Sequence, residues 1–350
     1  MITRGDPRID VVDGERLESV RPQLEAFLST NHLKLDSGVN TFVVAYDHGD
    51  GRIVGCAGLD RNIVKCVGVD ESFRGSGLSL KIGTEVVKFG LGDGYDDFFL
   101  YTKYENSRLF RGWGFSPIIE IPEQVSFMEF NPARLSSYLA KLSLEKKSGS
   151  RIGSVVMNAN PFTNGHRYLV EQASKECDWV HVFLVKENAS LIPYDDRLML
   201  VRAGISDLPN VIVHAGSNYI ISRATFPQYF LKNAAEINEQ ASAVDALLFR
   251  KYIAPTLDID VRYVGTEPID KTTAMYNRVL MKYLYTYPYD SRPIKLKEIK
   301  RLEYGDTIVS ATAVRALLSK RNFDEIKKIV PETTLSFLRN FDTLREDRAA

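Results

Sequence analysis

Three cysteines in 350 residues, none in a disulfide or metal-ligand spacing, argue against a disulfide scaffold and a zinc-knuckle site. Cys56, Cys66 and Cys177 all sit in apolar stretches, which suits a reducing cytoplasm. Net charge is missing as well. Forty-five basic residues balance 45 acidic ones, so no global field draws the chain to nucleic acid or an anionic membrane, and an ionic partner must be met by a local site. No apolar run approaches a membrane span, and the opening MITRGDPRIDVVDG is too polar for a signal peptide, so a cytoplasmic protein with no membrane partner is expected. Internal repeats and low-complexity tracts are absent too. What is present, 44% hydrophobic and 26% charged residues, is enough for two domains, each burying its own core.

The clearest break is LEKKSGSR, residues 144–151, which separates two rhythms and divides the chain into domains at 1–145 and 151–340. Before it, TFVVAYDHGDGRIVGCAGLD reads as two strands joined at a glycine-rich turn, with IVKCVGVD as a third: a meander. After it, IGSVVMNAN, WVHVFLVKE, NVIVHAG and DVRYVG are short β-rich runs separated by helical segments, the α/β pattern of a parallel sheet with crossover helices. NFDEIKKIVPETTLSFLRNF reads as short helices packing on the second domain, and DTLREDRAA as a frayed end.

The segment NANPFTNGHRYLV joins a strand end to a helix start. In an open parallel sheet, ligands collect beyond the carboxyl ends of the strands, and a helix N-terminus with free N–H groups suits phosphate. Gly165 lets another group approach the backbone, and His166, in the first helical turn, can donate a hydrogen bond to a phosphate oxygen. Thr163, Gly165 and His166 resemble the (T/H)xGH signature of the nucleotidyltransferase superfamily, which binds ATP over a Rossmann-like sheet. VSATAVRALLSK, residues 309–320, is similar to that superfamily's ISxTxxR signature, with Val309 in place of Ile. Ser310 can cap the following helix, and Thr312 and Arg315, three apart, share one face where they can meet an anion together. Ser310 read alone is equally an ordinary cap.

The resemblance assigns Asn160, Pro161, Phe162, Thr163, Gly165, His166, Ser310, Thr312 and Arg315 to nucleotide binding, with His166, Arg315 and Arg197 as catalytic residues. Arg197, in PYDDRLMLVRAG, falls where superfamily members place a basic residue over phosphate; a solvated arginine is the plainer reading. Gly265 and Glu267, in VRYVGTEPID, fall where adenine or ribose contacts occur, although a turn at the sheet end also explains Gly265.

In the first domain, Arg74, Gly75, Ser76, Gly77, Leu78 and Ser79 resemble the RGxGxG/A loop of the GNAT acetyltransferases, whose backbone amides receive the pyrophosphate of acyl-CoA. Ser79 stands where a Gly or Ala is usual. YTKYENSRLFRGWGF is similar to that family's closing segment, with Asn106 before a short helix and Gly114 and Phe115 after it. Glu71 or Tyr104 is either an acid–base group or surface. The expectation is a GNAT-like fold followed by a Rossmann-like domain with a parallel sheet, the first domain holding a CoA-like group or docking a carrier.

Longer phrases, MNANPFTNGHRYLVEQA, YIISRATFPQYFL, RYVGTEPID and VSATAVRALL, resemble the citrate lyase ligase family along nearly the whole chain. The resemblance implies activation of acetate by ATP to acetyl-adenylate, with release of pyrophosphate. Acetyl transfer follows, to the thiol of the CoA-like prosthetic group on the citrate lyase acyl carrier subunit. Mg²⁺ would bridge the phosphates; no protein carboxylate stands out as a metal ligand. Thr225, Phe226 and Tyr229 either line the acetate or carrier pocket or belong to the core. Cys177 reads as a packed residue, and His181 and His214 as structural sheet histidines. His32 and His48 fall in apparent loops and carry no signal. Three alternatives remain: a nucleotidyltransferase acting on phosphopantetheine or a mononucleotide, an acetate ligase for a malonate decarboxylase carrier, and a binding module without catalysis.

Overall fold

Strands with apolar residues on both faces belong in the middle of covered sheets, and two such sheets organise the chain. The structure is a computed structural model that describes residues 6–186, 190–221, 234–266, 271–305 and 307–341. The chain divides into two compact units, Met1–Ser137 with Phe226–Gln240, and Tyr138–Thr225 with Ala241–Ala350.

The first unit runs β1 (Arg8–Asp13), α1 (Gly14–Thr30), β2 (Thr41–Tyr46), β3 (Ile53–Asp60), β4 (Ile63–Val69), α2 (Leu78–Gly92), β5 (Phe99–Lys103), α3 (Ser107–Arg111), β6 (Ser116–Ile121) and β7 (Val125–Glu129). The sheet order is β1-β2-β3-β4-β5-β7-β6. The expected meander is β2, β3 and β4, paired antiparallel in sequence. β3 is buried from Ile53 through Leu59 because α2 covers it on one face, where a Cβ on Gly55 would meet Ile82 Cδ1 at 2.5 Å. β4 and β5 are parallel but pair only at Ile63↔Phe99 and Val64↔Leu100. Beyond those pairs the register is not continued, and a cavity opens between the two strands. This is the GNAT-like arrangement.

After α4 (Ala133–Ser143), the second unit opens on β8 (Ile152–Met157), α5 (Asn164–Glu176), β9 (Trp179–Leu184), α6 (Tyr194–Gly204) and β10 (Val211–His214). It continues through α7 (Ala234–Leu248), α8 (Ala254–Leu257), β11 (Val261–Gly265), α9 (Lys271–Met281) and β12 (Lys295–Ile299). A small hairpin, β13 (Glu303–Tyr304) and β14 (Thr307–Ile308), leads to α10 (Ala311–Leu318), α11 (Phe323–Ile329) and α12 (Glu332–Arg339). The sheet order is β10-β9-β8-β11-β12 and every pairing is parallel. The chain winds outward from β8 to β10, then returns to place β11 on the other side of β8. That reversal leaves a crevice beyond the carboxyl ends of β8 and β11, the place where such sheets bind ligands. This is a Rossmann-like α/β unit. Among the described residues, no helix is long and apolar enough to cross a membrane.

His181 and His214 lie within this sheet, 0% and 7% exposed, with His181 Nδ1 2.7 Å from His214 Nε2. His214 also stacks on Phe183, the ring centroids 4.6 Å apart. Burial holds both rings neutral. It pushes His181 down to about 4, helped by the charge of Lys147, and His214 down to about 3, helped by His181. Both folded values lie below the unfolded one, so the unfolded chain takes up protons first as pH falls. The stabilisation is full above pH 6.5 and is lost from there down to about 4 for His181 and about 3 for His214. The expected loss over that window is on the order of 3 kcal/mol for each ring that stays neutral, measured by urea unfolding at several pH values, with a flatter profile in His214→Leu. A profile unchanged by that substitution would assign the acid sensitivity elsewhere.

Candidate active site

Beyond the carboxyl end of β8, the chain crosses from Asn158 to Thr163 and enters α5. Thr163 is the N-cap: its Oγ1 accepts the N–H of His166 at 3.3 Å, and His166 Nδ1 accepts the N–H of Thr163 at 3.1 Å. This is a capping box with histidine in the place usually taken by Glu or Gln. It also sets the tautomer. With Nδ1 accepting, the neutral ring carries its proton on Nε2 and offers a donor from there. Burial, aided by the charge of Arg301, lowers the imidazole to about 4, so His166 is neutral near pH 7.

The second motif reaches the same place from the other end of the unit. Ser310 caps α10, its Oγ accepting the N–H of Ala313 at 3.2 Å. Arg315 ties the two motifs together, donating from Nη1 to the carbonyl of Asn160 at 2.6 Å and from Nη2 to Thr312 Oγ1 at 3.0 Å. Gly165 does permit a close approach, and what approaches is protein. A Cβ there would stand 2.7 Å from the carbonyl oxygen of Val309. Gly165→Ala therefore forces α5 away from the 309–312 segment. We expect a loss of about 1–3 kcal/mol in urea unfolding. An unchanged midpoint would mean the two backbones have room to spare.

Thr163, Gly165, His166, Gly265, Ser310 and Thr312 all line one cleft of about 250 Å³. Several other expected residues do not. Phe162 is 0% exposed and packs in the core, where a Cβ on Gly204 would meet its ring at 2.4 Å; it is a hydrophobic anchor and not a ligand contact. Pro161 is buried ahead of it. Asn160 serves the loop, its Oδ1 accepting the N–H of Ile192 at 3.2 Å and its carbonyl held by Arg315. Arg197 is neither over the cleft nor solvated. It is 0% exposed and donates to the carbonyls of Ile192, Asn158 and Val185 and to Asn158 Oδ1. Its place is inside the loop that carries the first motif. Glu267, Thr225, Phe226 and Tyr229 lie outside the described residues.

Sequence reasoning missed Lys300 and Arg301, which follow β12 and line the same cleft. The available signal was the basic pair in KLKEIKRLEY, a stretch that belongs to neither motif. No Asp or Glu is among the described lining residues. A cleft with two helix N-termini, a neutral histidine donor, several hydroxyls and two cations is built for a polyanion.

The first unit has its own cavity, about 760 Å³, between the diverging parts of β4 and β5 and beneath the start of α2. Gly75 and Gly77 are left-handed, with φ of +78° and +84°, so the loop can turn its amides toward a ligand. The unusual Ser79 has a partner: its Oγ accepts the indole N–H of Trp113 at 3.0 Å. Glu71 and Tyr104 are exposed and stand outside the lining, whereas His32 is in it. Cys177 lies ahead of β9, at the amino end of the strands and 3.3 Å from Tyr263 OH, and burial pushes its thiol up, which suits packing rather than nucleophilic work.

Residues 152–338 match the family model described as the citrate lyase ligase C-terminal domain. Three relatives named [citrate [pro-3S]-lyase] ligase are similar over almost the full length. The one from Escherichia coli K12 is 44% identical over 329 residues, 94% of this chain and 93% of its own. The Klebsiella pneumoniae relative is 43% identical, over 91% of this chain and 92% of its own. The Haemophilus influenzae relative is 42% identical, over 93% of this chain and 98% of its own.

Proposed function

Because this chain belongs to the citrate lyase ligase family, we propose that it activates citrate lyase by ligating acetate, at the expense of ATP, to the thiol of a CoA-like prosthetic group on that enzyme's acyl carrier subunit. Residues 151–340 would form the ATP-binding ligase domain, and residues 1–145 the domain that holds the prosthetic arm. The observation that carries this reading is the meeting of Thr163 and His166 with Ser310 and Thr312 around one cation-rich cleft.

In the first step, an acetate oxygen attacks the α-phosphorus of ATP, the bond to the β-phosphate oxygen breaks, and its electron pair leaves with pyrophosphate. Little covalent help is needed if the phosphates are held in line and the growing charge is met by fixed donors. His166 Nε2–H, the amides at the start of α5 and α10, and the hydroxyls of Ser310 and Thr312 supply such donors. Arg315 and Arg197 act at one remove, holding the walls in place. Gly265 leaves room at the end of β11 for the nucleoside. Among the described lining residues hydroxyls and amides are present without a carboxylate, a donor set that does not fit a protein-held Mg²⁺ site; an ion accompanying the triphosphate would be held by phosphate and water. In the second step the thiolate attacks the acyl carbon, AMP leaves, and no cysteine of this chain takes part. The cavity under α2 accepts the pantetheine arm and its phosphates.

Mixing the protein with thiol-bearing carrier, ATP and acetate tests this directly. The carrier should gain the mass of one acetyl group only when both small molecules are present, with AMP and pyrophosphate as co-products. A dinucleotide product, or no acetylation, would contradict it.

A further inference from the structure

Arg301 has no part in the two motifs, yet the structure brings it to the cleft by a route that does not depend on them. It belongs to the turn after β12, and that turn is fastened on both sides. The N–H of Arg301 donates to Thr266 Oγ1 at 3.4 Å, just past the end of β11, and the carbonyl of Leu302 accepts the N–H of Val309 at 2.9 Å, next to Ser310. The side chain then crosses Gly265: a Cβ on that glycine would lie 3.4 Å from Arg301 Cγ and 3.5 Å from Nε. The turn is thus held by a strand end on one side and by the ISxTxxR-like segment on the other, and the Arg301 side chain it carries passes Gly265 and lines the cleft.

The three cations close to the site differ in what they do. Arg315 is engaged by the carbonyl of Asn160 and by Thr312, so it fixes the wall. Lys300 lines the cleft, but its side chain is 79% exposed and its ammonium lies 3.4 Å from a carboxylate oxygen of Glu303. Arg301 lines the cleft from a half-buried position, and its charge is felt by His166. An imidazole that senses this guanidinium shares a neighbourhood with it, and both face a cleft whose described lining holds no acid.

We propose that Arg301 is a further catalytic residue of acyl-adenylate formation: its guanidinium binds oxygens of the β- and γ-phosphates and carries the charge that arrives when the bond to the α-phosphorus breaks. The proposal rests on the ATP-dependent reading above. It divides the labour between His166, which donates one hydrogen bond as a neutral ring, and Arg301, which supplies full positive charge in a two-pronged form suited to phosphate.

The test is acetate-dependent exchange of labelled pyrophosphate into ATP by the full-length protein, its Arg301→Ala, Arg301→Lys and Arg301→Gln variants, and Lys300→Ala. Losing a charged donor to phosphate should lower kcat/KM for ATP by about 10- to 100-fold in Arg301→Ala and raise the KM for pyrophosphate, while the KM for acetate stays within about twofold. Arg301→Lys should recover part of the loss, and Lys300→Ala, which removes the more solvated of the two cations, should lower kcat/KM for ATP by a smaller factor than Arg301→Ala. Should Arg301→Ala unfold, Arg301→Gln keeps part of the stem that passes Gly265 and a polar head without the charge, and the same kinetic split is expected of it. Variants of Arg301 with unaltered ATP and pyrophosphate kinetics, beside an unaltered protein that does exchange, would overturn the role. An unaltered protein that binds ATP but shows no exchange would overturn the acyl-adenylate reading, and this role with it.

Discussion

His166→Ala should slow acyl-adenylate formation by about 10²- to 10³-fold, or ~2.7–4 kcal/mol of barrier, the loss expected when one fixed donor to a developing oxyanion is removed. The Nε2–H of a neutral imidazole makes its strongest bond as negative charge grows, so the effect should fall on kcat more than on the KM for ATP. The same side chain also caps α5, because Nδ1 accepts the N–H of Thr163. Alanine should therefore lower stability too, by about 0.5–2 kcal/mol. His166→Gln separates the two roles. Glutamine can accept that N–H as capping boxes ordinarily do, so stability should return while the rate does not. Recovery of rate with stability would mean that His166 is only a cap. With its imidazole lowered to about 4, the unaltered protein should also show no titration of this residue in the exchange rate between pH 6 and 8.

Arg197→Met is the substitution with the largest expected effect on folding. The guanidinium has no exposure and gathers the carbonyls of Ile192, Asn158 and Val185, which come from three separate turns of chain. Methionine fills much of the volume but leaves these acceptors without donors inside the protein. Each orphaned acceptor costs about 1–3 kcal/mol, so a total of about 3–5 kcal/mol is expected in urea unfolding. Because Asn158 and the loop to Thr163 lose their brace, weaker ATP binding should accompany the loss even under conditions where the variant is folded. A change below about 1 kcal/mol would mean that water reaches these carbonyls when the arginine is gone.

The chemistry of the cleft was legible where it is local. Thr163 with His166, and Ser310 with Thr312, act through spacings of two and three residues at helix starts, and such spacings are written in the sequence. The roles of Arg197 and Phe162 were not, because both depend on what lies across the fold: carbonyls up to 39 residues away for one, Gly204 for the other. Gly165 was recognised as a point of close approach, but only the folded chain shows that Val309 is what approaches. Arg301 stayed hidden since nothing in a charged run tells which side chain crosses a strand end. β12 was missed for a related reason: KLKEI is an edge strand whose residues are partly exposed, so its pattern resembles a solvated segment. At the scale of the fold the reading was closer. The antiparallel meander and the parallel sheet followed from apolar rhythm, and the glycines at 75 and 77 follow from a loop that must turn left-handed. His32, dismissed as a loop residue, lines the first unit's cavity because the end of α1 is brought beside β4 by tertiary packing.

Acetate-dependent exchange of labelled pyrophosphate into ATP, with no carrier present, goes to the centre of the account. Exchange that requires acetate is the predicted result, since the cleft is proposed to complete acyl-adenylate formation before any thiol arrives. No exchange with acetate, together with exchange supported by the adenylylated product of phosphopantetheine or of a mononucleotide, would contradict the account and make the acceptor a phosphate in place of a carboxylate.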